Sequence, residues 1–407
     1  MNNPLQNYEL NYQEVPEASR EQNPNRPGAK TILKHFGLFV LTFFFVSWAG
    51  AQFVGFHVSA LPFIFPVWSD FFRGVLFAVL LLAFLGIHEF GHYFAGVYHK
   101  IRVTLPYFIP LPFALGTLGA VIRIKQKIRH SYEMFDIGIA GPLAGFVVAL
   151  TVLLYGFATL PDASYIFNFP GHEAVSQFVR ANGHYPSQII TDSEMPAMVI
   201  GNTLLYSFLA SFFSNVPPMW ELYHYPFLFA GWLGLFFTAL NLTPVGQLDG
   251  GHILYSLLGH KKHKIVARVF FGALVTLAGI EALPFIHMFL GDWGISSGIL
   301  SIAIWMLVLF FLLRKAFKNE HRWIAPVLVV SLAITIGYFY LIIGSLETAR
   351  SLSLIWLVWS FFIAYVVGVE HPPAMIEEPL SPTRKVLGWL SMVIFVLCIS
   401  PNPIYLV

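Results

Sequence analysis

The sequence is short of two things that soluble proteins usually have, cysteine and charge. Its single cysteine, Cys398, excludes an intrachain disulfide and a cysteine-rich metal site. Only 11% of the 407 residues are charged, against about 25% in a typical soluble domain. The net charge of +2 gives none of the clustered basic character that nucleic-acid binding requires. We therefore expect no nucleic-acid partner.

Apolar sequence takes the place of the missing charge. Hydrophobic residues make up 57% of the chain, the mean hydropathy is +0.69, and several apolar runs are about 20 residues long, enough to cross a bilayer. We predict an all-α polytopic membrane protein with about eight or nine transmembrane helices. The predicted spans are 35–55, 73–96, 134–156, 226–245, 266–286, 296–313, 324–343, 351–369 and 386–405. The fourth is the least regular, because it ends in "NLTPVGQLDGGH".

Lysine and arginine fall on one side of this layout. The basic stretches "HKIR" (99–102), "RIKQKIR" (123–129), "HKKHK" (260–264) and "RKAFKNEHR" (314–322) share a face if the spans alternate. The positive-inside rule then makes that face and the N-terminal tail cytoplasmic. We expect a multi-pass protein of the bacterial plasma (inner) membrane.

Four regions follow from this pattern. They are a polar cytoplasmic tail (1–34), a first transmembrane helix (35–56), a central region (73–259) with an extracytoplasmic insert (157–225), and C-terminal transmembrane helices (260–407). The insert contains one brief apolar run, "VIGNTLLYSFLASFF" (199–213), which favours a surface or re-entrant helix over a span.

The second span carries ionisable residues in apolar sequence. "HEFGH" places His88 and His92 one helical turn apart on the same face, with Glu89 beside them. Burying such groups in hydrocarbon costs roughly 2.5–3.5 kcal/mol each, which zinc coordination would offset. We interpret His88 and His92 as zinc ligands and Glu89 as the base that acts on a water molecule. The alternative is a pair of satisfied interior histidines with an ion-paired glutamate.

A catalytic zinc usually has a third protein ligand, and Asp249 is the candidate. Pro244 and Gly246 interrupt the helical pattern just before it, which turns the backbone and brings a side chain inward. Asp249 would otherwise be an N-cap for a helix starting at Gly250, and His252 is a competing ligand. Asn241 is a candidate donor to a developing oxyanion; its alternative role is to satisfy backbone groups freed by Pro244.

Two further segments have distinctive patterns. "GTLGAVIRIKQ" (116–126) mixes glycine with β-branched residues, which predicts a short β-like segment at the membrane boundary. Bare strands cannot face lipid, so this segment has to pack on protein or line a wet cavity. "FDIGIAGPLAG" (135–145) spaces Gly141 and Gly145 as a small-xxx-small pair, which favours close helix packing around the metal.

Together these motifs resemble the site-2 protease family of intramembrane zinc metalloproteases. The similar segments are "GIHEFGHYFAG" (86–96), "GTLGAVIRIK" (116–125), "FDIGIAGPLAG" (135–145) and "AGWLGLFFTALNLTPVGQLDGGHILYSLLG" (230–259), in family order. Within the family the chain looks most like bacterial and plastid-type members. The insert lacks the length and strand pattern of the PDZ domain that many members carry.

The resemblance implies a core of three spans (73–96, 134–156 and 226–252). It also implies one zinc ion bound by His88, His92 and Asp249, with Glu89 as general base and acid and Asn241 near the scissile carbonyl. It implies an edge strand that pairs with an unwound substrate, with the contact residues Gly116, Thr117, Leu118, Gly119 and Ala120. The expected partners are the lipid bilayer and a single-span membrane protein or a signal-peptide remnant. A zinc transporter and a non-proteolytic membrane scaffold are the alternatives.

Overall fold

The computed structural model describes residues 27–57, 66–190, 198–295, 297–343 and 353–406. Most of the predicted polar tail, part of the insert and residues 351–352 of the eighth predicted span lie outside these ranges. The described chain is mostly helical. Its helices are α1 (Ala29–Val54), α2 (Trp68–Tyr98), α3 (Ser131–Ala158), α4 (Glu173–Asn182), α5 (Leu204–Ala210), α6 (Pro226–Asn241), α7 (Asp249–Leu258), α8 (His260–Asp292), α9 (Gly298–Ala316), α10 (His321–Ile343), α11 (Ile355–Phe362) and α12 (Pro382–Cys398). Its strands are β1 (Tyr107–Pro110), β2 (Thr117–Val121), β3 (Met198–Ile200) and β4 (Ile404–Leu406).

Six of these helices are long and apolar enough to cross a membrane: α1, α2, α3, α8, α9 and α10. The chain is therefore an integral, multi-pass membrane protein. The fourth, eighth and ninth predicted spans coincide with shorter helices, α6, α11 and α12. α6 ends at Asn241 because Pro244 and Gly246 interrupt the helix, and α11 passes into a π-helical turn at Ile363–Val367. α1 begins at Ala29, so the last residues of the predicted tail are helical.

Contacts among the loops divide the molecule into two faces. On one side, the guanidinium of Arg384 donates to both carboxylate oxygens of Asp136 at 2.7 Å, and Lys264 pairs with Glu320 at 3.2 Å. We call this side, which carries the basic loops, the basic face. On the other, β3 in the insert pairs antiparallel with β4 near the end of the chain. We call this side the insert face. The loops are distributed between the two faces as expected if successive spans cross the membrane in alternating directions.

Helices α2, α3 and α6 form the centre of the molecule. Small residues let them pack closely: a methyl group added at Gly91 of α2 would lie 2.5 Å from the carbonyl oxygen of Ala140 of α3. Trp232 of α6 is fully buried, and its indole nitrogen donates to the carbonyl of Gly201 at 2.9 Å. The predicted three-helix core is thus a closely packed unit, with the large apolar side chains of α6 filling the space between its neighbours.

The segment after α2 forms a β-hairpin, as its composition predicts. β1 and β2 are antiparallel, with Tyr107 opposite Val121 and Phe108 opposite Ala120. The hairpin packs on α1, where Nδ1 of His35 donates to the carbonyl of Pro106 at 2.8 Å and Phe39 contacts Phe108 edge to face. Protein contacts therefore cover one side of this membrane-boundary strand pair.

The insert has a small core of its own. A 3-10 helix (Ala163–Asn168) and α4 enclose Ile166, Phe169, Val175 and Val179, which are all buried. The apolar run 199–213 forms β3 and the seven-residue α5, which is too short to cross a bilayer. The prediction that this run is not a span is confirmed.

Candidate metal centre

The HEFGH motif lies in the continuous helix α2. His88 and His92 point to the same side, one turn apart, and both are buried. Their Nε2 atoms are 3.0 Å apart. Nδ1 of His92 contacts the carbonyl oxygen of Ile137 in α3 at 2.7 Å. A carbonyl only accepts, so this nitrogen is protonated and Nε2 presents its lone pair to the site, as in many metal-binding histidines.

Asp249 is the first residue of α7, directly after the loop that follows α6. Leu248 is the N-cap, so Asp249 does not cap a helix beginning at Gly250, and that alternative is not supported. The loop is held in place by the chain that follows α11: the amide of Gly246 donates to the carbonyl of Val369 at 2.9 Å. A methyl group at Gly246 would lie 1.8 Å from the carbonyl oxygen of Gly368. The tight fit fixes the point at which Asp249 enters the site.

Three donor atoms converge between α2 and α7. Oδ2 of Asp249 lies 3.5 Å from Nε2 of His88 and 3.3 Å from Nε2 of His92. A tetrahedral zinc ion with bonds of about 2.0–2.1 Å separates its ligand atoms by about 3.3–3.4 Å. The observed triangle, including the 3.0 Å between the two histidines, therefore has the size that zinc requires. Two imidazoles and one carboxylate are also the donor set of many catalytic zinc sites.

Glu89 lies beside this triangle. Its Oε1 is 4.0 Å from Nε2 of His88, farther than the Asp249 oxygen, and its side chain is 10% exposed. Its carboxylate also interacts with the backbone of Ile122, next to the end of β2. Glu89 is thus placed between the donor triangle and the hairpin, within reach of a molecule bound at either, rather than as a third metal ligand.

The glycines of α3 make room for the two imidazoles. A methyl group at Gly141 would lie 2.1 Å from Nε2 of His92, and one at Gly145 would lie 3.2 Å from Nδ1 of His88. Sequence reasoning assigned these glycines to helix packing alone and missed the contact with the histidines. Their spacing was visible, but only the fold shows what they face.

The two remaining candidates from the sequence, Asn241 and His252, are not part of the donor triangle. Asn241 is the half-buried last residue of α6, at the start of the loop that leads to Asp249. His252, the competing ligand, has its Nδ1 2.8 Å from Nε2 of His371, which is not part of the donor triangle. Asn241 therefore stays a candidate for catalytic support, while His252 is engaged elsewhere.

The predicted substrate strand has one free edge in the described part of the chain. Its sheet contains β1 and β2 only. Leu118 is 68% exposed, whereas Thr117 and Ala120 are buried. Gly119 has φ +102° with nothing within 4 Å of an added methyl group. Gly116 precedes the strand, and its close approach is to the carbonyl of Phe45 in α1. Leu118 and Gly119 are thus the residues of the predicted segment that face open space.

This constellation matches a known family. The model of peptidase family M50 matches residues 76–280, just over half of the 407-residue chain. The chain belongs to peptidase family M50. The predicted site-2 protease resemblance is thereby confirmed, and the M50 match contains all the residues of the candidate metal centre. No solved structure matches the chain significantly.

Several plant proteins are similar over the M50 region. "Probable zinc metalloprotease EGY1, chloroplastic" of Oryza sativa subsp. japonica is 32% identical over 179 residues, 44% of this chain and 27% of that protein. The Arabidopsis thaliana protein of the same name is 31% identical over 213 residues, 50% of this chain and 34% of its own length. "Probable zinc metalloprotease EGY2, chloroplastic" of Oryza sativa subsp. indica is 28% identical over 210 residues, 52% and 33% of the two chains. The chain therefore spans about a third or less of these relatives.

Proposed function

We propose that this protein is an intramembrane zinc metalloendopeptidase that cleaves transmembrane segments of other proteins. The observation that carries the proposal is the triangle of buried His88, buried His92 and partly buried Asp249, with Glu89 beside it, where the two histidines lie on a helix long enough to cross the membrane. M50 membership and the printed names of the relatives support zinc as its cofactor. Neither a zinc transporter nor a scaffold requires a carboxylate beside the donor triangle, and M50 membership does not favour them.

The residues of the chain divide the reaction among them. His88, His92 and Asp249 would hold the zinc ion, which polarises the scissile carbonyl and acidifies a water molecule when bound. Glu89 accepts the proton of the attacking water and delivers it to the leaving amine. Asn241 is proposed to donate to the oxyanion from the end of α6. The burial of His88 and His92 limits access of bulk water to the site.

The hairpin is proposed to receive the substrate. A transmembrane helix hides its peptide bonds in internal hydrogen bonds, so it has to be extended before cleavage. We propose that a substrate strand adds to the edge of β2 that β1 does not pair, from Thr117 to Ala120; the Thr117 hydroxyl, which contacts the backbone of Gly119, would have to release it. Ile122, at the end of this strand, interacts with Glu89, so a peptide paired along β2 runs toward the catalytic carboxylate. We propose a single-span membrane protein or a signal-peptide remnant as substrate.

The positive-inside rule places the basic face in the cytoplasm, or in the equivalent compartment of an organelle. The sequence prediction of a bacterial plasma membrane remains a proposal, since the similar plant proteins are named as chloroplastic. In both settings we propose that the candidate metal centre lies nearer the basic face and that the insert lies on the opposite side.

Purified wild type and Glu89→Gln, each assayed for bound zinc and for cleavage of a single-span reporter, test the function. We expect the same zinc content in both, with cleavage lowered about 10²–10⁴-fold in the variant because it lacks the general base. Equal cleavage by the two proteins contradicts the role of Glu89. Absence of zinc from the wild type contradicts the whole proposal.

Cysteine crosslinking tests the role of the strand. The only native cysteine, Cys398, is buried, so Leu118→Cys introduces a single exposed thiol. We expect it to form a disulfide with a cysteine placed near the cleavage site of the reporter. A cysteine at Val329, which is 65% exposed on α10, is the control. Equal crosslinking at both positions argues against docking along β2.

A further inference from the structure

A second group of metal-ligating side chains lies on the insert face. His172 precedes α4, and Glu221 and His224 precede α6. Nε2 of His172 is 3.2 Å from Nε2 of His224 and 3.3 Å from Oε2 of Glu221. Nε2 of His224 is 3.6 Å from the same carboxylate oxygen. These distances match the donor separations of about 3.3–3.4 Å around a tetrahedral zinc ion.

Hydrogen bonding directs the lone pairs of both histidines into this cluster. Nδ1 of His224 donates to the carbonyl of Phe53 at 2.7 Å, and Nδ1 of His172 contacts the carbonyl of Pro170 at 3.2 Å. With the Nδ1 atoms protonated, the neutral rings turn unprotonated Nε2 atoms toward each other. When both rings are neutral, two ring nitrogens and a carboxylate oxygen face one another, an arrangement that a metal ion stabilises. The metal-free alternative is a protonated His172 paired with Glu221 at 3.3 Å, and the experiments below separate the two.

The carboxylate of Glu221 supports the same conclusion. Its side chain is 3% exposed, and its Oε2 atom has no hydrogen-bond partner among the described residues. Leaving a buried carboxylate oxygen unsatisfied is costly, and a metal ion would satisfy it. The ring of Phe169 lies over His224 with its centroid 3.9 Å away, which shields the cluster from water on one side.

We propose that His172, Glu221 and His224 bind a second divalent transition-metal ion, zinc by preference, that clamps the insert to the membrane-spanning body. The cluster joins three separate parts of the chain: the loop before α4, the segment before α6 and, through the Phe53 carbonyl, the end of α1. The small core of the insert contributes Phe169 to the same place. The ion therefore ties the insert to the end of α1 and to the start of α6, one of the three central helices.

Zinc stoichiometry tests the proposal. The full-length protein is stripped of metal and titrated with Zn²⁺ by calorimetry. We expect about two ions per wild-type chain, about one in Glu221→Gln, about one in Asp249→Asn and none in the double variant. His184→Gln, which removes an exposed histidine elsewhere in the insert, is the matched control and should bind two. A single ion in the wild type, or two in Glu221→Gln, overturns the proposal.

A structural readout separates ligand loss from misfolding. Amide exchange across α4 should slow when Zn²⁺ is added to the wild type and stay unchanged in Glu221→Gln. His172→Gln provides a second variant at a less buried ligand, with its side chain 18% exposed, and should show the same loss of zinc-dependent protection. Zinc-dependent protection of α4 that persists in both variants would show that zinc acts at another site, and no zinc dependence in the wild type would show that the cluster is a metal-free hydrogen-bonded network; either result overturns the proposal.

Discussion

The candidate metal centre and the insert cluster have the same donor set in two different parts of the molecule. Each has two histidines and a carboxylate at mutual distances between 3.0 and 3.6 Å. Each has a histidine whose Nδ1 contacts a backbone carbonyl at 2.7 Å. The donor set alone therefore does not distinguish a catalytic site from a structural one.

The surroundings of the two clusters differ. Glu89 gives the catalytic centre a second, buried carboxylate, and a strand with a free edge lies next to it. Near the insert cluster the additional carboxylate, Glu173, is exposed and accepts from the backbone of Gly171. A base that faces the metal and a place for an extended peptide are what make one of the two sites suited to hydrolysis.

The largest effect should come from removing one carboxylate ligand at each site. Asp249→Asn should lower reporter cleavage by more than the roughly 10–100-fold that loss of an outer-shell partner costs. Glu221→Gln should lower it far less, and lowering the assay temperature should restore what is lost, because its effect runs through the stability of the insert. A comparable, temperature-independent loss in both variants would remove the distinction between the sites.

A smaller effect is expected from crowding the imidazole of His92, which lies against Gly141 of α3. Gly141→Ala places a methyl group 2.1 Å from Nε2 of His92, so it should displace the imidazole and lower zinc affinity and cleavage about 10–100-fold. Gly37→Ala, in α1 with nothing within 4 Å, is the matched control and should leave both unchanged. Full zinc binding at the catalytic centre of Gly141→Ala would contradict the geometry.

The smallest effect concerns a buried carboxylate whose partners are cations. Glu370 accepts from Arg268 at 2.8 Å and from Lys318 at 3.2 Å on the basic face. Burial alone would raise its pKa, but the hydrogen bonds from Arg268 and Lys318 outweigh burial and hold the pKa below its ordinary value of 4.5. Glu370→Gln should destabilise the protein by about 1 kcal/mol at pH 7, since it weakens hydrogen bonds to two cations while Arg268 keeps Glu320 as a partner.

The lowered pKa fixes the sign of the pH dependence. The stabilisation is fully present above about pH 4.5 and is lost as the pH falls through the folded-state value. Melting temperatures of wild type and Glu370→Gln should therefore converge on acidification. Glu378→Gln, at a more exposed carboxylate on the same segment, should differ little from wild type at any pH. A constant gap between wild type and Glu370→Gln would contradict this account.

Local sequence rules predicted the parts of the site that depend on neighbouring residues. The i, i+4 spacing of HEFGH places two imidazoles together in any helix, and the glycine and β-branched residues of 116–126 favour the hairpin. Pro244 and Gly246 indicated where the helix breaks before Asp249. The roles of Asn241 and of residues 116–120 in catalysis and substrate binding stay predictions.

Local sequence rules do not predict contacts between segments that are distant in the chain. His172 and His224 are 52 positions apart, and nothing in the sequence around either one indicates that they meet. The Glu221-x-x-His224 spacing was the available signal, but it is common without a metal. The lengths of α6, α11 and α12 were overestimated because hydropathy measures how apolar a run is, whereas the helix ends where backbone geometry or tertiary contacts stop it.

The segment after α11 supports the Asp249 loop from outside the region that matches the family. It holds the Asp249 loop through the Gly246–Val369 hydrogen bond, and Tyr255 of α7 donates to the carboxylate of Glu377 farther along it. The family match ends at residue 280, yet this brace lies some ninety residues beyond that point. The portion that the family match covers is therefore smaller than the portion whose contacts position the site. Grafting the core alone onto another membrane scaffold would transfer the ligands without the support that positions one of them.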